Sequence, residues 1–104
     1  MNLEDFTAEA LRPHVGSHFH VSGEEGQALD LLLEEVKVTT HEQHPSTQLV
    51  RDPFSLFFVG PPQPFLRQSM YTVQHDALGG TWQIFLVPVA QRKGGEFLYE
   101  AAFT

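Results

Sequence analysis

The sequence predicts a mainly β protein, either a small antiparallel barrel of six strands or a compact sandwich, with one N-terminal α-helix. Short segments alternate between apolar and polar residues, which is typical of strands. Glycine and proline turn signals separate these segments at short intervals. Several strands are apolar on both faces, as in a closed or partly closed barrel. A chain of 104 residues suits one domain. We therefore expect a single domain over residues 1–104, with the helix over about 2–15 and the β domain over about 17–104.

The N-terminal helix is predicted from its end signals. Thr7 is a suitable N-cap, and acidic residues near it favour the positive end of the helix dipole. Pro13 does not continue a helix comfortably, and Gly16 suits a reversal of the chain. Asn2 is an alternative cap for an earlier turn.

Six segments are predicted as strands: residues 17–22, 27–40, 54–59, 70–75, 81–89 and 96–103. The second also fits a helical stripe, but its β-branched end and its alternating leucines favour a strand. The apolar face changes sides along this segment, which predicts a bulge or a bend around a barrel. Residues 54–59 are apolar on both faces and are therefore placed centrally in the sheet.

The remaining segments are predicted as connections. Residues 41–53 form a polar loop or a crossover with an edge-like segment at 47–50. The prolines of residues 60–64 end the central strand. Residues 76–80 and 91–95 are hairpin loops, since each contains a Gly-Gly pair.

Composition excludes several classes of function. The net charge is −7, and the six Lys and Arg residues are scattered, so we expect no nucleic-acid binding. The longest apolar run has about four residues, against the roughly 20 that a membrane helix needs, so we expect no membrane insertion. The absence of Cys excludes disulfides, thiolate zinc sites and a cysteine nucleophile. It also fits a reducing compartment, and we expect a cytoplasmic protein.

Histidines are the candidate metal ligands, because imidazole binds zinc, copper and nickel. His18 and His20 lie on one face of a predicted strand. The spacing matches no recognised zinc motif, so we expect no bound metal and no cofactor. Adjacent glutamates on a strand point to opposite faces, and no serine has a nucleophile motif. His75 and Asp76 could assist a serine only if folding brought one to them. We therefore expect no enzymatic activity.

The aromatic residues are mostly Phe, which has no polar group and usually packs in a core. Phe65 and Trp82 are the candidates for exposed aromatic contacts with a partner protein.

Apolar, Gly and Pro residues recur in a distinctive pattern: Phe54-x-Leu56-x-Phe58-x-Gly60-Pro61, Leu66-x-Gln68-x-x-Tyr71, His75-x-x-Leu78-Gly79, Ile84-Phe85-Leu86-Val87-Pro88-Val89 and Tyr99-Glu100-Ala101-x-Phe103. With Phe6…Leu11…Val15-Gly16-x-x-Phe19-x-Val21, this pattern resembles a family of small bacterial β domains of unknown function. The resemblance implies no activity. It implies an assembly or accessory role, since similar proteins are encoded near phage-tail-collar-like genes. Gln68 and His75 are the polar members of the pattern, and we expect both to make buried hydrogen bonds.

Three functional hypotheses follow. The first is a non-enzymatic structural or protein-interaction module, acting through a surface patch or a sheet edge, with a homodimer as one possible form. The second is a small-ligand-binding barrel. The third is a metal-binding protein that depends on His18 and His20. An interior crowded with Phe and Leu favours the first, and a cavity lined by His and Tyr favours the second.

Overall fold

Six antiparallel strands form a closed barrel in the computed structural model, which describes residues 1–38 and 53–104. The strands are β1 (His18–Ser22), β2 (Ala28–Val38), β3 (Phe54–Gly60), β4 (Ser69–Gln74), β5 (Thr81–Gln91) and β6 (Phe97–Phe103). Their order around the barrel is β1-β2-β3-β6-β5-β4, and β4 closes onto β1. The barrel, rather than the sandwich, is therefore confirmed. The predicted loop over 41–53 and its edge-like segment at 47–50 lie almost wholly outside the described residues.

The N-terminal segment contains one short helix, so the helix expected over about 2–15 is wrong in extent, whereas Asn2 does cap an earlier turn. Helix α1 covers Ala8–Leu11 and lies between two 3-10 turns, Leu3–Asp5 and Arg12–His14. Thr7 caps α1 as predicted, since its Oγ1 accepts the Ala10 N–H at 3.0 Å. A cap residue has an extended backbone, so the same Thr7 separates α1 from the preceding turn.

The β1–β2 hairpin confirms the strand assignment of residues 27–38. Inward residues of β2 change parity after Leu33, where the register with β3 shifts between Leu33 and Glu35. This is the predicted bulge. The bulged residue, Glu34, points outward and forms an ion pair with Arg92 of the β5–β6 loop.

Strand β3 lies between β2 and β6, as its two apolar faces predict. The connection from β3 to β4 passes over the barrel end, because β6 and β5 separate these two strands in the sheet. Leu66 in this connection is fully buried, and its N–H donates to the Tyr99 hydroxyl at 2.9 Å.

The barrel interior is filled by side chains from every strand. At one end the fully buried Phe6 packs against Trp82 and Phe103, with ring centroids 5.0 and 5.7 Å away. Tyr99 and Leu66 fill the other end. The core residues of the strands are Phe19, Val21, Leu31, Leu33, Phe54, Leu56, Phe58, Tyr71, Val73, Trp82, Ile84, Leu86, Tyr99 and Ala101. Within the two described ranges, no helix is both long and apolar enough to cross a membrane.

Candidate functional site

Four of the six histidines lie near the place where β1 meets the end of β4. His14 ends the second 3-10 turn, His18 and His20 lie on β1, and His75 directly follows β4. The other two, His41 and His44, lie outside the described residues. The β1–β4 pairing, which we call the seam, joins residues 20–22 to residues 72–74 and is the shortest ladder of the barrel.

His20 lies between two carboxylates on the outer surface of the seam. Its Nδ1 is 2.7 Å from an Asp30 oxygen, and its Nε2 is 3.1 Å from an Asp76 oxygen. Only the protonated ring can donate from both nitrogens at once. The hydrogen bond to Asp30, followed by that to Asp76, therefore raises the pKa of His20 above its usual value of 6.5.

The two carboxylate contacts of His20 argue against the hypothesis of a metal site at His18 and His20. A histidine ligand needs a nitrogen with a free lone pair, and both nitrogens of His20 face carboxylates. His18 is exposed on the same face of β1. Across residues 1–38 and 53–104, no group of three or more His, Asp or Glu side chains could hold a metal ion.

His75 is nearly buried, with 7% of its surface exposed. Its Nδ1 accepts the N–H groups of Ala77 at 3.1 Å and Leu78 at 3.3 Å. The proton of the neutral ring is therefore assigned to Nε2, which lies 2.9 Å from the Ser17 hydroxyl oxygen. Burial, followed by the nearby His14, lowers the pKa of His75 below 6.5. The ring is therefore held in its neutral form.

The distance between Ser17 and His75 is that of a nucleophile and its base, but the hydrogen bond between them runs in the opposite direction. A catalytic base needs an unprotonated nitrogen that can take the serine proton. With the proton assigned to Nε2, the ring donates a hydrogen bond to the Ser17 hydroxyl oxygen, and the Ser17 hydroxyl donates to the His14 carbonyl oxygen at 2.6 Å. The arrangement ties β1, the second 3-10 turn and the end of β4 together and leaves Ser17 without activation.

Two further sequence predictions, for Gln68 and Trp82, differ from the structure. Gln68 is exposed, so its expected burial is wrong. The connection turns inward at Leu66, and β4 begins only at Ser69. Trp82 is 3% exposed, so its expected exposure is also wrong, because it shares the inward face of β5. Its Nε1 donates to the Met1 carbonyl oxygen at 2.7 Å.

Phe65 is 47% exposed at the barrel end, with its ring centroid 4.7 Å from that of Phe97. One face of this ring is therefore free to meet a partner, while the contact with Phe97 fixes its position. Its role in an interaction stays a prediction.

Four outward side chains of β4 and β5 form an apolar surface that we call the outer β4–β5 face: Met70, Phe85, Val87 and Val89. Met70 and Phe85 are opposite one another in the strand register and are each about half exposed. Val89 is exposed at a bulge between Pro88 and Ala90. The alternation of β5 predicts that Phe85, Val87 and Val89 share a face, but the sequence does not say that this face is the outer one.

A second surface feature is an open hollow of about 500 Å³ beside the seam. It is lined by His20, Val21, Ser22, Ala28, Leu29, Asp30 and Gln74.

The family model described as Domain of unknown function (DUF6916) matches residues 6–103. The chain belongs to this family. No curated protein and no solved structure matches it. The match begins at Phe6, which closes one end of the barrel, and ends at Phe103, the last residue of β6, so the DUF6916 domain includes α1 and the second 3-10 turn. Membership of a family of unknown function is confirmed.

Proposed function

We propose that the protein is a non-enzymatic protein-interaction module whose partner docks on the outer β4–β5 face. The observation that carries the proposal is the pair Met70 and Phe85, two large apolar side chains that lie side by side and half exposed on a regular sheet. Contiguous exposed apolar groups are typical of interaction sites.

The filled interior supports this proposal over a small-ligand-binding barrel. Phe6 occupies one end of the barrel, and Tyr99 with Leu66 occupies the other. A ligand inside would have to displace fully buried aromatic and aliphatic side chains, at a cost of several kcal/mol.

Barrel closure determines the kind of docking that is proposed. Each of the six described strands has a paired neighbour on both sides, so none of them is an edge strand over its whole length. Unpaired edges are limited to short stretches, such as the end of β2 that pairs only with β3. A homodimer is therefore proposed to form through side-chain contacts on the outer surface rather than by pairing of strand edges. A second copy of the chain is one possible occupant of the outer β4–β5 face.

The proposed partner is a protein of a phage-tail-like assembly, and the protein would act there as a cytoplasmic accessory factor. This part of the proposal rests on the resemblance to bacterial domains encoded near phage-tail-collar-like genes. The reversed direction of the Ser17–His75 hydrogen bond supports the non-enzymatic assignment.

The test combines partner capture with matched outer-face variants. The double variant Met70→Thr, Phe85→Thr removes the apolar pair and keeps β-branched residues, which suit strands. The control is Gln83→Thr, an exposed position on the same face of β5. Thermal unfolding first verifies that each variant is folded.

We expect the wild-type chain and the Gln83 control to retain the same partner from a native lysate, or to dimerise in sedimentation, and the double variant to lose that interaction. Mass spectrometry of a captured partner then tests the tail-assembly assignment. Equal binding by all three chains would contradict the docking surface, and so would a wild-type chain that is monomeric and captures nothing. A partner from outside tail assembly would contradict the phage-tail role alone.

A further inference from the structure

Two side chains, His75 and Asp76, attach the turn after β4 to β1 and the residue before it. The seam that it adjoins is the shortest ladder of the barrel. His75 reaches Ser17 through Nε2 and two amides of its own turn through Nδ1. A single imidazole thus joins Ser17, the residue before β1, to the amides of Ala77 and Leu78.

We propose that His75 is a proton-operated latch: its neutral ring holds the turn at residues 76–80, and protonation of Nδ1 releases that turn. The two halves of the ring respond differently to a proton. Nε2 already carries hydrogen and keeps its bond to Ser17. Nδ1 loses the lone pair with which it accepts the Ala77 and Leu78 N–H groups, and its new hydrogen then faces these two donors. Both bonds are lost together.

The groups around His75 determine when the latch opens. The His14 ring lies edge-on to it at 5.0 Å between centroids, and Phe19 covers it at 4.4 Å. His20 on β1 and His14 disfavour a positive charge on the ring, while Asp76 favours one. Burial is the largest influence, and it lowers the pKa of His75, so the neutral ring is retained to a lower pH than for an exposed histidine.

Two other contacts limit what the latch releases. Asp76 stays bonded to His20, and that bond strengthens as His20 is protonated. The backbone N–H of Gly79 donates to the His75 carbonyl oxygen at 3.1 Å, and this bond does not depend on the ring. Protonation therefore frees Ala77 and Leu78 locally and leaves the seam closed.

Nuclear magnetic resonance of the ¹⁵N-labelled full chain measures the tautomer and the release in one sample. At pH 8 we expect the ring of His75 to carry its proton on Nε2, with Nδ1 as an acceptor. On titration to pH 5, hydrogen-exchange protection of the Ala77 and Leu78 amides, corrected for the intrinsic effect of pH, should fall by about tenfold or more, as two hydrogen bonds are lost. Its midpoint should coincide with the titration of His75, below 6.5.

Three variants distinguish the latch from a general effect of pH. In His75→Asn the side-chain oxygen can accept from the turn amides and does not titrate, so protection should no longer depend on pH. In Ser17→Ala the Nδ1 acceptor is retained, so the dependence should persist. In His18→Asn, a substitution at an exposed position on β1, the pH dependence of protection should be the same as in the wild type.

The proposal is overturned if wild-type protection of the two amides is equal at pH 8 and pH 5, or if its midpoint follows the titration of His20 rather than His75. The opposite tautomer at pH 8 would also overturn it. So would a pH dependence that persists in His75→Asn or disappears in His18→Asn. Should His75→Asn fail to fold, the wild-type titration and the Ser17→Ala variant still decide the question.

Discussion

Replacing Phe6 with alanine tests whether the N-terminal segment is part of the barrel core. Phe6 is fully buried, and its ring meets Trp82 edge-to-face at 5.0 Å. A buried Phe→Ala substitution costs about 3–5 kcal/mol, because apolar burial is lost and a cavity remains. For a domain of this size about 4 °C is lost per kcal/mol, so we expect the melting temperature to fall by about 12–20 °C.

Urea unfolding followed by tryptophan fluorescence is the appropriate assay, since Trp82 contacts the substituted side chain. The matched control is Phe85→Ala, where the ring is 45% exposed on the outer sheet and the loss should be about 1 kcal/mol. A loss at Phe6 no larger than that at Phe85 would refute the reasoning. It would mean that residues 1–15 lie on the barrel without closing it.

Three further predictions concern packing and charge. Gly60→Ala should lower stability by about 1–2 kcal/mol, because a Cβ there would lie 2.7 Å from the Leu31 Cδ2 atom and 3.0 Å from Tyr99; an unchanged urea midpoint would contradict this. His20 has a raised pKa, so its stabilising effect should be complete below about pH 6.5 and be lost as the pH rises through the folded-state pKa; the stability difference between wild type and His20→Gln should therefore be larger at pH 5.5 than at pH 8.5. Protonation of all six histidines would change the net charge from −7 to −1, so light scattering should rise as the pH approaches the isoelectric point near 5.2, and constant scattering would contradict this.

Local patterns predict most of the fold because the interior selects one face of each strand. The alternation in β5 assigns Trp82 and Ile84 to one face and Phe85 to the other, and the structure agrees. The change of face in β2 predicts a bulge or a bend, and the structure has a bulge between Leu33 and Glu35, where the extra residue keeps the apolar side chains inward. The N-terminal helix is shorter than predicted because Thr7, its N-cap, has an extended backbone. The same residue therefore begins α1 and separates it from the earlier turn.

The site is less predictable because its contacts join residues far apart in the chain. Ser17 and His75 are 58 positions apart, and His20 and Asp76 are 56 apart. Their meeting depends on the closure of β4 onto β1, which no local spacing reveals. The motif pattern does single out His75 as a polar residue among apolar ones, but the same signal selects Gln68, which is exposed.

Closure has a consequence for any function of this domain. An open sheet can recognise a partner by strand pairing, and a barrel with an empty interior can recognise a small molecule by enclosure. In this chain the pairing of β4 with β1 closes the sheet into a barrel, and Phe6 and Tyr99 fill the ends of the interior. Both features favour the proposed recognition through the outer surface and the turns between strands. The half-exposed Met70 and Phe85 supply an apolar contact on that surface, and the His75 latch supplies a turn whose order depends on pH. These two features lie in different places. The double variant Met70→Thr, Phe85→Thr should therefore abolish docking without altering protection of the Ala77 amide. His75→Asn should remove the pH dependence of that protection without altering docking.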